Sequence, residues 1–169
     1  MKTGLFLGRF QPFHNGHLEV LKKALTMVDS LVIVIGSAQE SHTVDNPFTA
    51  DEREEMIEST VRKEKLKNLE IIPIEDINDD DRYVSYVEKL VPSFDKVFAA
   101  ENPLTAKLFK AKGYEVWTCD RITSFESTRI RELMGKNDPK WKQMVPPPVA
   151  AIIEDVEGVD RVKGIVNPR

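Results

Sequence analysis

The chain has 169 residues, 41% of them hydrophobic, which is the size of one compact domain with a core of its own. Its 24 basic residues are outnumbered by 28 acidic ones, so no broad basic surface for nucleic acid or anionic lipid is predicted. The single cysteine, Cys119, excludes an internal disulfide, and neither a secretion segment nor a membrane span is recognisable. We therefore expect a cytoplasmic protein.

Short runs rich in β-branched and aromatic residues predict the strands of the domain. These runs are residues 4–7, 31–35, 69–74, 96–100 and 114–118. A segment with helical spacing separates each run from the next. Such regular alternation is typical of a parallel sheet that is covered by helices on both faces, with right-handed crossovers. The predicted fold class is therefore α/β, with a doubly wound parallel sheet of five strands.

Several predicted helices have recognisable first residues. Leu18 and Leu21 recur at helical spacing after the first strand, and Thr49 opens a Thr-Ala-Asp-Glu capping box. Asn102-Pro103 and Pro148 are further candidate helix starts. The prolines at 146–148 predict that residues 146–169 form a helical C-terminal extension of the single domain, residues 1–169. The apolar residues of this extension are expected to pack on the domain.

Residues 8–17 read Gly-Arg-Phe-Gln-Pro-Phe-His-Asn-Gly-His and follow the first predicted strand. In open parallel sheets, ligands bind beyond the carboxyl ends of the strands, where the strand order reverses. The chain lacks GxGxxG after this strand and lacks GxxxxGK[ST], which disfavours a dehydrogenase or a P-loop enzyme. His14 and His17 would both face the N-terminus of the next helix, where free N–H groups favour an anion. Gly16 would let that anion approach the backbone closely. The pattern predicts a phosphate site.

Other interpretations of the histidine pair are open on residue type alone. Two histidines at this spacing are often surface residues or a satisfied helix cap. Zinc on a helix usually needs histidines at i and i+4 and a third ligand, and only His42 remains in the chain. We predict no metal ligation by the pair.

The same stretch resembles the HxGH motif of the nucleotidyltransferase superfamily. In its Gly-Arg-Phe-Gln-Pro-Phe-His form it is similar to the archaeal type of nicotinamide-nucleotide adenylyltransferase. Three further stretches support the resemblance: Ile-Gly-Ser-Ala-Gln at 35–39, Asn-Pro-Phe-Thr-Ala-Asp-Glu-Arg at 46–53, and Ser-Thr-Arg-Ile-Arg at 127–131. The last of these is similar to the superfamily's STxxR phosphate motif. Together they extend the resemblance over nearly the whole chain.

The resemblance implies a Rossmann-like fold and the transfer of AMP from ATP to nicotinamide mononucleotide, which forms NAD and pyrophosphate, usually with Mg²⁺. The nucleophile would be a phosphate oxygen that is already anionic, so positioning and charge stabilisation could supply most of the rate. The implied catalytic residues are His14 and His17 on the ATP phosphates, Arg9 between the substrates, and Arg131 on the β and γ phosphates. The implied nucleotide contacts are Gly8, Phe10, Gly16, Arg53, Tyr83, Ser127 and Thr128. Relatives form hexamers, which implies a homo-oligomer whose partners are small-molecule nucleotides, with residues 158–166 as an exposed tail.

Each of these residues also has a simpler interpretation. Arg131 could lie on a solvated helix face, Ser127 and Thr128 could cap a helix, and Arg53 could pair with a carboxylate on its own helix.

The chain departs from the family pattern on the acceptor side. Tyr83 stands where archaeal members often have a tryptophan on the nicotinamide ring, and tyrosine can also stack. Asp45 stands where some relatives have an arginine, and Glu101 stands in the usual Ser-Gly-Asn-Pro. Three functions therefore stay open: the nicotinamide enzyme, the same transfer to phosphopantetheine or FMN, and a nucleotide-binding sensor without catalysis. Nicotinate mononucleotide also stays open as an acceptor.

Overall fold

Strands and helices alternate along the chain in the order that the sequence predicts. The computed structural model describes residues 1–99, 102–119 and 124–169, so Glu101 lies outside the described residues. The strands are β1 (Thr3–Gly8), β2 (Ser30–Ile35), β3 (Leu69–Pro73), β4 (Lys96–Phe98) and β5 (Glu115–Trp117). The helices are α1 (Asn15–Ala24), α2 (Ala50–Lys63), α3 (Asp80–Leu90), α4 (Pro103–Ala111), α5 (Ser124–Gly135), α6 (Pro147–Asp155) and α7 (Gly158–Val166), with a 3-10 helix (Pro139–Met144) before α6.

The strands form one parallel sheet in the order β3-β2-β1-β4-β5, which confirms the predicted architecture. The chain runs from the central strand β1 to β2 and β3 on one side, and then crosses to β4 and β5 on the other. The strand order therefore reverses beside β1, and the residues that follow β1 lie at the ligand crevice of such sheets. β4 and β5 have three residues each, fewer than predicted, because β4 pairs only with residues 4–6 of β1.

Alternate side chains of each strand pack into two separate cores. Phe6 and Ile33 face the core that is shared with α1, α2 and α5 to α7. Leu5 and Val32 face the core that is shared with α3 and α4. Because helices cover both faces, the strands are apolar almost throughout, as doubly wound sheets require.

Two predicted helix starts are confirmed by their hydrogen bonds. The Oγ1 of Thr49 accepts from the backbone N–H of Glu52 at 3.1 Å. The Oδ1 of Asn102 accepts from the N–H groups of Leu104 and Thr105 at 2.9 and 3.3 Å, and Pro103 follows it in the first helical turn. These caps fix where α2 and α4 begin.

The C-terminal helices pack on the domain, α6 against α2 and α7 against α5 and α6. Residues 158–166, predicted as an exposed tail, form α7 instead, and Val162 is buried. The close packing at Gly158 explains the difference, since a Cβ there would come within 2.9 Å of Phe48 and Ile153. Every helix among the described residues is too short or too polar to cross a bilayer.

Candidate active site

The two histidines cap the first helix with their imidazole rings. The backbone N–H of His14 donates to the Nδ1 of His17 at 3.1 Å, and the N–H of His17 donates to the Nδ1 of His14 at 3.3 Å. The arrangement is a capping box with two imidazoles as its side chains. The rings stack with centroids 3.6 Å apart, and the helix-cap interpretation is correct.

The cap determines which nitrogen of each ring can act on a ligand. Each Nδ1 accepts an N–H, so a neutral ring carries its proton on Nε2. A donor at Nε2 is what an anionic phosphate oxygen requires. The aromatic rings of Phe13 and Phe10 hold His17 from the side of the core, at centroid distances of 5.5 and 4.8 Å. The two imidazoles are therefore held rigidly before any nucleotide binds.

Phe10 belongs to the core and not to the surface of the site. We predicted it as a nucleotide contact, but its side chain has no exposed surface. Its φ is 55°, in the left-handed region, and its ring lies over Gly8, where a Cβ would come within 2.9 Å of it. Phe10 thus supports His17 from inside, and Gly8 makes room for its ring.

A carboxylate lies at the N-terminus of α1, where the sequence predicts an anion. The Oε2 of Glu126 is 3.6 Å from the Nδ1 of His14, and a Cβ on Gly16 would come within 2.7 Å of the same oxygen. The absence of a side chain at Gly16 therefore lets an anionic oxygen approach the backbone. We did not predict Glu126 from the sequence, because a lone acidic residue beside the STxxR stretch has no distinguishing spacing.

Arg131 is buried and anchored to the loop that follows β1. Its Nη1 donates to the carbonyl of Gln11 at 2.9 Å and its Nη2 to the Oγ1 of Thr128 at 3.3 Å. Only 8% of the residue is exposed, which excludes an ordinary solvated helix face. Because α5 begins at Ser124, Ser127 and Thr128 lie inside the helix and are not its caps. The helix thus brings Arg131 to the loop that leads to the histidines.

Arg53 is fully buried, and its guanidinium donates hydrogen bonds to backbone carbonyl oxygens. The acceptors are the carbonyl oxygens of Arg9, Gly36, Ser37, Glu40 and Thr49, at 2.8 to 3.4 Å. Burial, and then the charge of Arg9, lower the pKa of Arg53 to about 10, so it remains charged at neutral pH. We predicted Arg53 as a nucleotide contact, whereas in the structure its hydrogen bonds join the loop after β1 to the loop after β2. In the sequence, the burial of Arg53 was indicated by its helical spacing with Met56, Ile57 and Thr60, which are buried on the same face of α2.

Two further contacts, which we did not predict, fix the loop before α2. The side-chain amide of Gln11 donates to the carbonyl of Phe48 and accepts from its N–H, both at 2.9 Å. The Nη1 of Arg161 in α7 lies 2.7 and 2.9 Å from the carboxylate oxygens of Glu52 and donates to the carbonyl of Pro47 at 3.1 Å. The C-terminal helix therefore supports the site through this loop.

A cavity of about 500 Å³ opens at the carboxyl ends of β1 and β2, on the side of α3 and α4. Its lining residues include Gly8, Arg9, Ser37, Asp76, Asp79, Asp80, Tyr83 and Asn102. Arg9 is exposed and donates to the Oδ1 of Asn46 at 3.4 Å. Arg9 follows β1 and precedes the two histidines in the chain, so it lines the cavity from the loop that leads to them.

Tyr83 forms part of the cavity wall that α3 provides. Its ring packs edge-on against Phe109, with centroids 6.3 Å apart. Burial, then the charge of Asp76 and then Tyr86, raise the pKa of Tyr83 to about 12, so its hydroxyl is neutral at physiological pH. The residue thus offers the cavity an aromatic surface and a neutral donor.

Within the described residues, no group of three His, Cys, Asp or Glu side chains is placed to hold a metal ion. The described side chains therefore do not fit a Mg²⁺ site made by the protein alone.

Comparison with known proteins agrees with this geometry. Residues 5–144 match the family described as Cytidylyltransferase-like. The nicotinamide-nucleotide adenylyltransferase of Thermoplasma acidophilum is 46% identical over 164 residues, 96% of this chain and 90% of the relative. The enzyme of the same name from Saccharolobus solfataricus is 45% identical over 171 residues, 99% of this chain and 98% of the relative.

Solved structures show the same fold at low sequence identity. A bifunctional NMN adenylyltransferase/ADP ribose pyrophosphatase from Francisella tularensis, complexed with AMP and a manganese ion, is 22% identical with a TM-score of 0.75. The similarity covers 98% of this chain but 52% of that protein, so this chain spans about half of its length. By sequence, fold and the placement of its HxGH residues, the chain belongs to the nicotinamide-nucleotide adenylyltransferases of the Cytidylyltransferase-like family.

Proposed function

We propose that the protein transfers AMP from ATP to the phosphate of nicotinamide mononucleotide, which forms NAD and pyrophosphate. An oxygen of the acceptor phosphate forms a bond to the α-phosphorus of ATP, and the bond from that phosphorus to the bridging oxygen of the β-phosphate breaks. The reaction needs no covalent intermediate, because the acceptor oxygen is already anionic. The observation that carries the proposal is the histidine cap, which holds two imidazoles beside the N-terminus of α1.

The triphosphate is proposed to bind at the N-terminus of α1. Here the helix dipole and the exposed backbone at Gly16 favour negative charge. The Nε2 of His17 would donate to the α-phosphate and stabilise the charge that grows there in the transition state, while His14 would contact the phosphate chain. Arg131, with Ser127 and Thr128 on the same helix, would hold the β and γ phosphates.

The acceptor is proposed to bind in the cavity beside β1. Tyr83 would offer its aromatic ring to the nicotinamide, and the exposed Arg9 would align the acceptor phosphate with the α-phosphate. Because Arg53 fixes the carbonyl of Arg9, the start of that side chain is held in place. Gly8 lines the same cavity beside Arg9.

Three expectations from the family resemblance complete the proposal. Mg²⁺ would accompany ATP, bound by phosphate oxygens and water. The protein would work in the cytoplasm as a homo-oligomer, with a hexamer as the expected form. Sedimentation equilibrium would measure the mass of the particle, and a monomer would contradict the expected assembly.

One assay tests the reaction and its acceptor. The protein is given ATP and Mg²⁺ together with nicotinamide mononucleotide, phosphopantetheine or FMN, and the release of pyrophosphate is followed. We expect the fastest release with nicotinamide mononucleotide. No release with that acceptor would contradict the proposal, and binding of ATP without release for any acceptor would indicate a sensor.

Arg131→Ala is expected to weaken ATP binding by about tenfold or more, because a charge-assisted contact to phosphate is lost. The catalytic rate should fall less than the affinity. Calorimetric titration with ATP measures the Kd directly. Arg129→Ala is the matched control, since Arg129 is exposed on the same helix and its removal changes the net charge equally. An unchanged Kd in Arg131→Ala, or an equal change in the control, would contradict the role given to Arg131.

A further inference from the structure

A carboxylate from another helix lies at the N-terminus of α1. Glu126 belongs to the first turn of α5, and a Cβ on Gly16 would come within 2.7 Å of its Oε2. The same oxygen is 3.6 Å from the Nδ1 of His14. An anionic oxygen of the chain itself therefore stands where the dipole of α1 and the missing side chain of Gly16 favour negative charge.

The contact between Glu126 and His14 is not a hydrogen bond through Nδ1. That nitrogen accepts from the backbone N–H of His17, so in the neutral ring it carries no proton that it could donate to the carboxylate. The positive end of the α1 dipole, which is open at Gly16, is the feature that attracts Glu126. It is also the feature that is proposed to attract the triphosphate.

A second carboxylate lies beside the cation of the same proposed site. The Oδ1 of Asp45 is 3.9 Å from the Nη2 of Arg131, which is proposed to hold the β and γ phosphates. The side chain of Asp45 is 74% exposed, whereas that of Glu126 is 36% exposed. Water screens the more exposed charge more strongly, so Glu126 is the carboxylate whose contact has the larger effect.

We propose that Glu126 is an internal competitor of the triphosphate, whose carboxylate occupies the N-terminus of α1 until ATP displaces it. The inference rests on the proposed function, which places the phosphates at this helix. A carboxylate and a phosphate are both anionic and repel each other strongly at contact distance, so the two exclude each other from the helix end. The side chain of Glu126 is partly exposed and can turn into the solvent when the nucleotide enters.

The competition acts on every ligand that brings phosphate to α1. ATP binds only the fraction of molecules in which the helix end is open, so its apparent affinity is reduced by that fraction. The affinity for the product pyrophosphate is reduced in the same way, and the returning carboxylate favours its release. Glu126 is not among the residues that line the acceptor cavity, so the affinity for the acceptor is not affected.

The expected size follows from the charge at the helix end. A charge near a helix N-terminus changes an equilibrium constant by about two- to fivefold, and removal of Glu126 also removes its repulsion of bound phosphates. We therefore expect Glu126→Gln to lower the Kd for ATP by about fivefold or more. The inhibition constant of pyrophosphate should fall by the same factor, and the KM for nicotinamide mononucleotide should change by less than about twofold.

Calorimetric titration without an acceptor tests the competition separately from the reaction. The ligands are ATP with Mg²⁺ and inorganic tripolyphosphate, which contains the phosphates alone. The variants are Glu126→Gln, which keeps the size of the side chain, and Glu126→Asp, which keeps its charge but withdraws it from α1 by one methylene. The control is Glu132→Gln, which removes the charge of an exposed residue on the same helix.

Both Glu126 variants should bind the two ligands more tightly than the wild type, with the aspartate variant between the wild type and the glutamine variant. The control should change each Kd by less than about twofold. An unchanged Kd in Glu126→Gln, or an equal change in Glu132→Gln, would overturn the inference. An aspartate variant identical to the wild type would also overturn it, because charge alone and not occupancy would then set the affinity.

The outcome for this inference is distinguishable from the outcome for the proposed function. If nicotinamide mononucleotide gave no pyrophosphate, the proposed function would fail. Tighter binding of tripolyphosphate by Glu126→Gln would nevertheless support the competition at α1, since that titration involves no acceptor.

Discussion

His17→Ala is expected to lower kcat by about a hundredfold or more, while the affinity for ATP falls less. The proposed donor, Nε2, acts mainly on charge that develops in the transition state, so its loss should affect the rate more than ground-state binding. Steady-state kinetics together with calorimetric titration of ATP separate the two effects. Equal losses in kcat and in affinity would mean that His17 serves binding alone.

The alanine variant also removes a helix cap, so two amide variants isolate the catalytic contribution. In His17→Asn the side-chain oxygen can take the place of Nδ1 and accept from the N–H of His14, but nothing replaces Nε2. In His17→Gln the amide N–H₂ can reach the place of Nε2. We expect the asparagine variant to fold with low kcat, and the glutamine variant to keep more of the rate. If the asparagine variant were as active as the wild type, the role of Nε2 would be refuted.

Arg53→Ala is expected to lower the free energy of unfolding by about 3 to 5 kcal/mol, a large part of the stability of an ordinary domain. The change removes every donor to the carbonyls that the guanidinium joins, and it leaves a cavity in the core. Lysine cannot match the planar fork of five donors, so Arg53→Lys should recover only part of the loss. Urea unfolding followed by circular dichroism measures both variants.

The matched control for this prediction is Arg62→Ala. Arg62 is exposed in the last turn of the same helix, where its charge stabilises the helix end by about 0.3 to 1 kcal/mol. A loss in Arg53→Ala no larger than that in Arg62→Ala would show that the buried network contributes little. If Arg53→Lys folds, its KM values for both substrates should rise, because the loops after β1 and β2 would lose their fixed positions.

The order of strands and helices could be predicted from the sequence because its signals are local. Apolar runs identified all five strands, and Thr49 and Asn102 identified helix starts through contacts with residues two or three positions away. The histidine pair is a local signal of the same kind, since its reciprocal hydrogen bonds join positions three apart. The strand order and these two helix starts, which depend on neighbours in the sequence, were therefore predicted correctly.

The residues that hold the site in place could not be predicted, because their partners are distant in the sequence. Gln11 meets Phe48 across 37 positions, and Arg131 meets Gln11 across 120. Nothing beside these residues in the chain indicates such a partner. The motif of Arg53 predicted a ligand contact, with a carboxylate on its own helix as the alternative partner, whereas its guanidinium donates to backbone carbonyls of distant loops. Asp76 joins the cavity wall because strand order brings it there.

The contact of Arg161 with Pro47 and Glu52 has a consequence for how the enzyme is made in the cell. The histidines and Arg9 leave the ribosome first, whereas Arg131 and Arg161 are synthesised more than a hundred residues later. During translation, the strands and the histidine cap can form while the loop before α2 still lacks its support. The nascent chain would therefore acquire full activity only after α7 has emerged and packed against the domain.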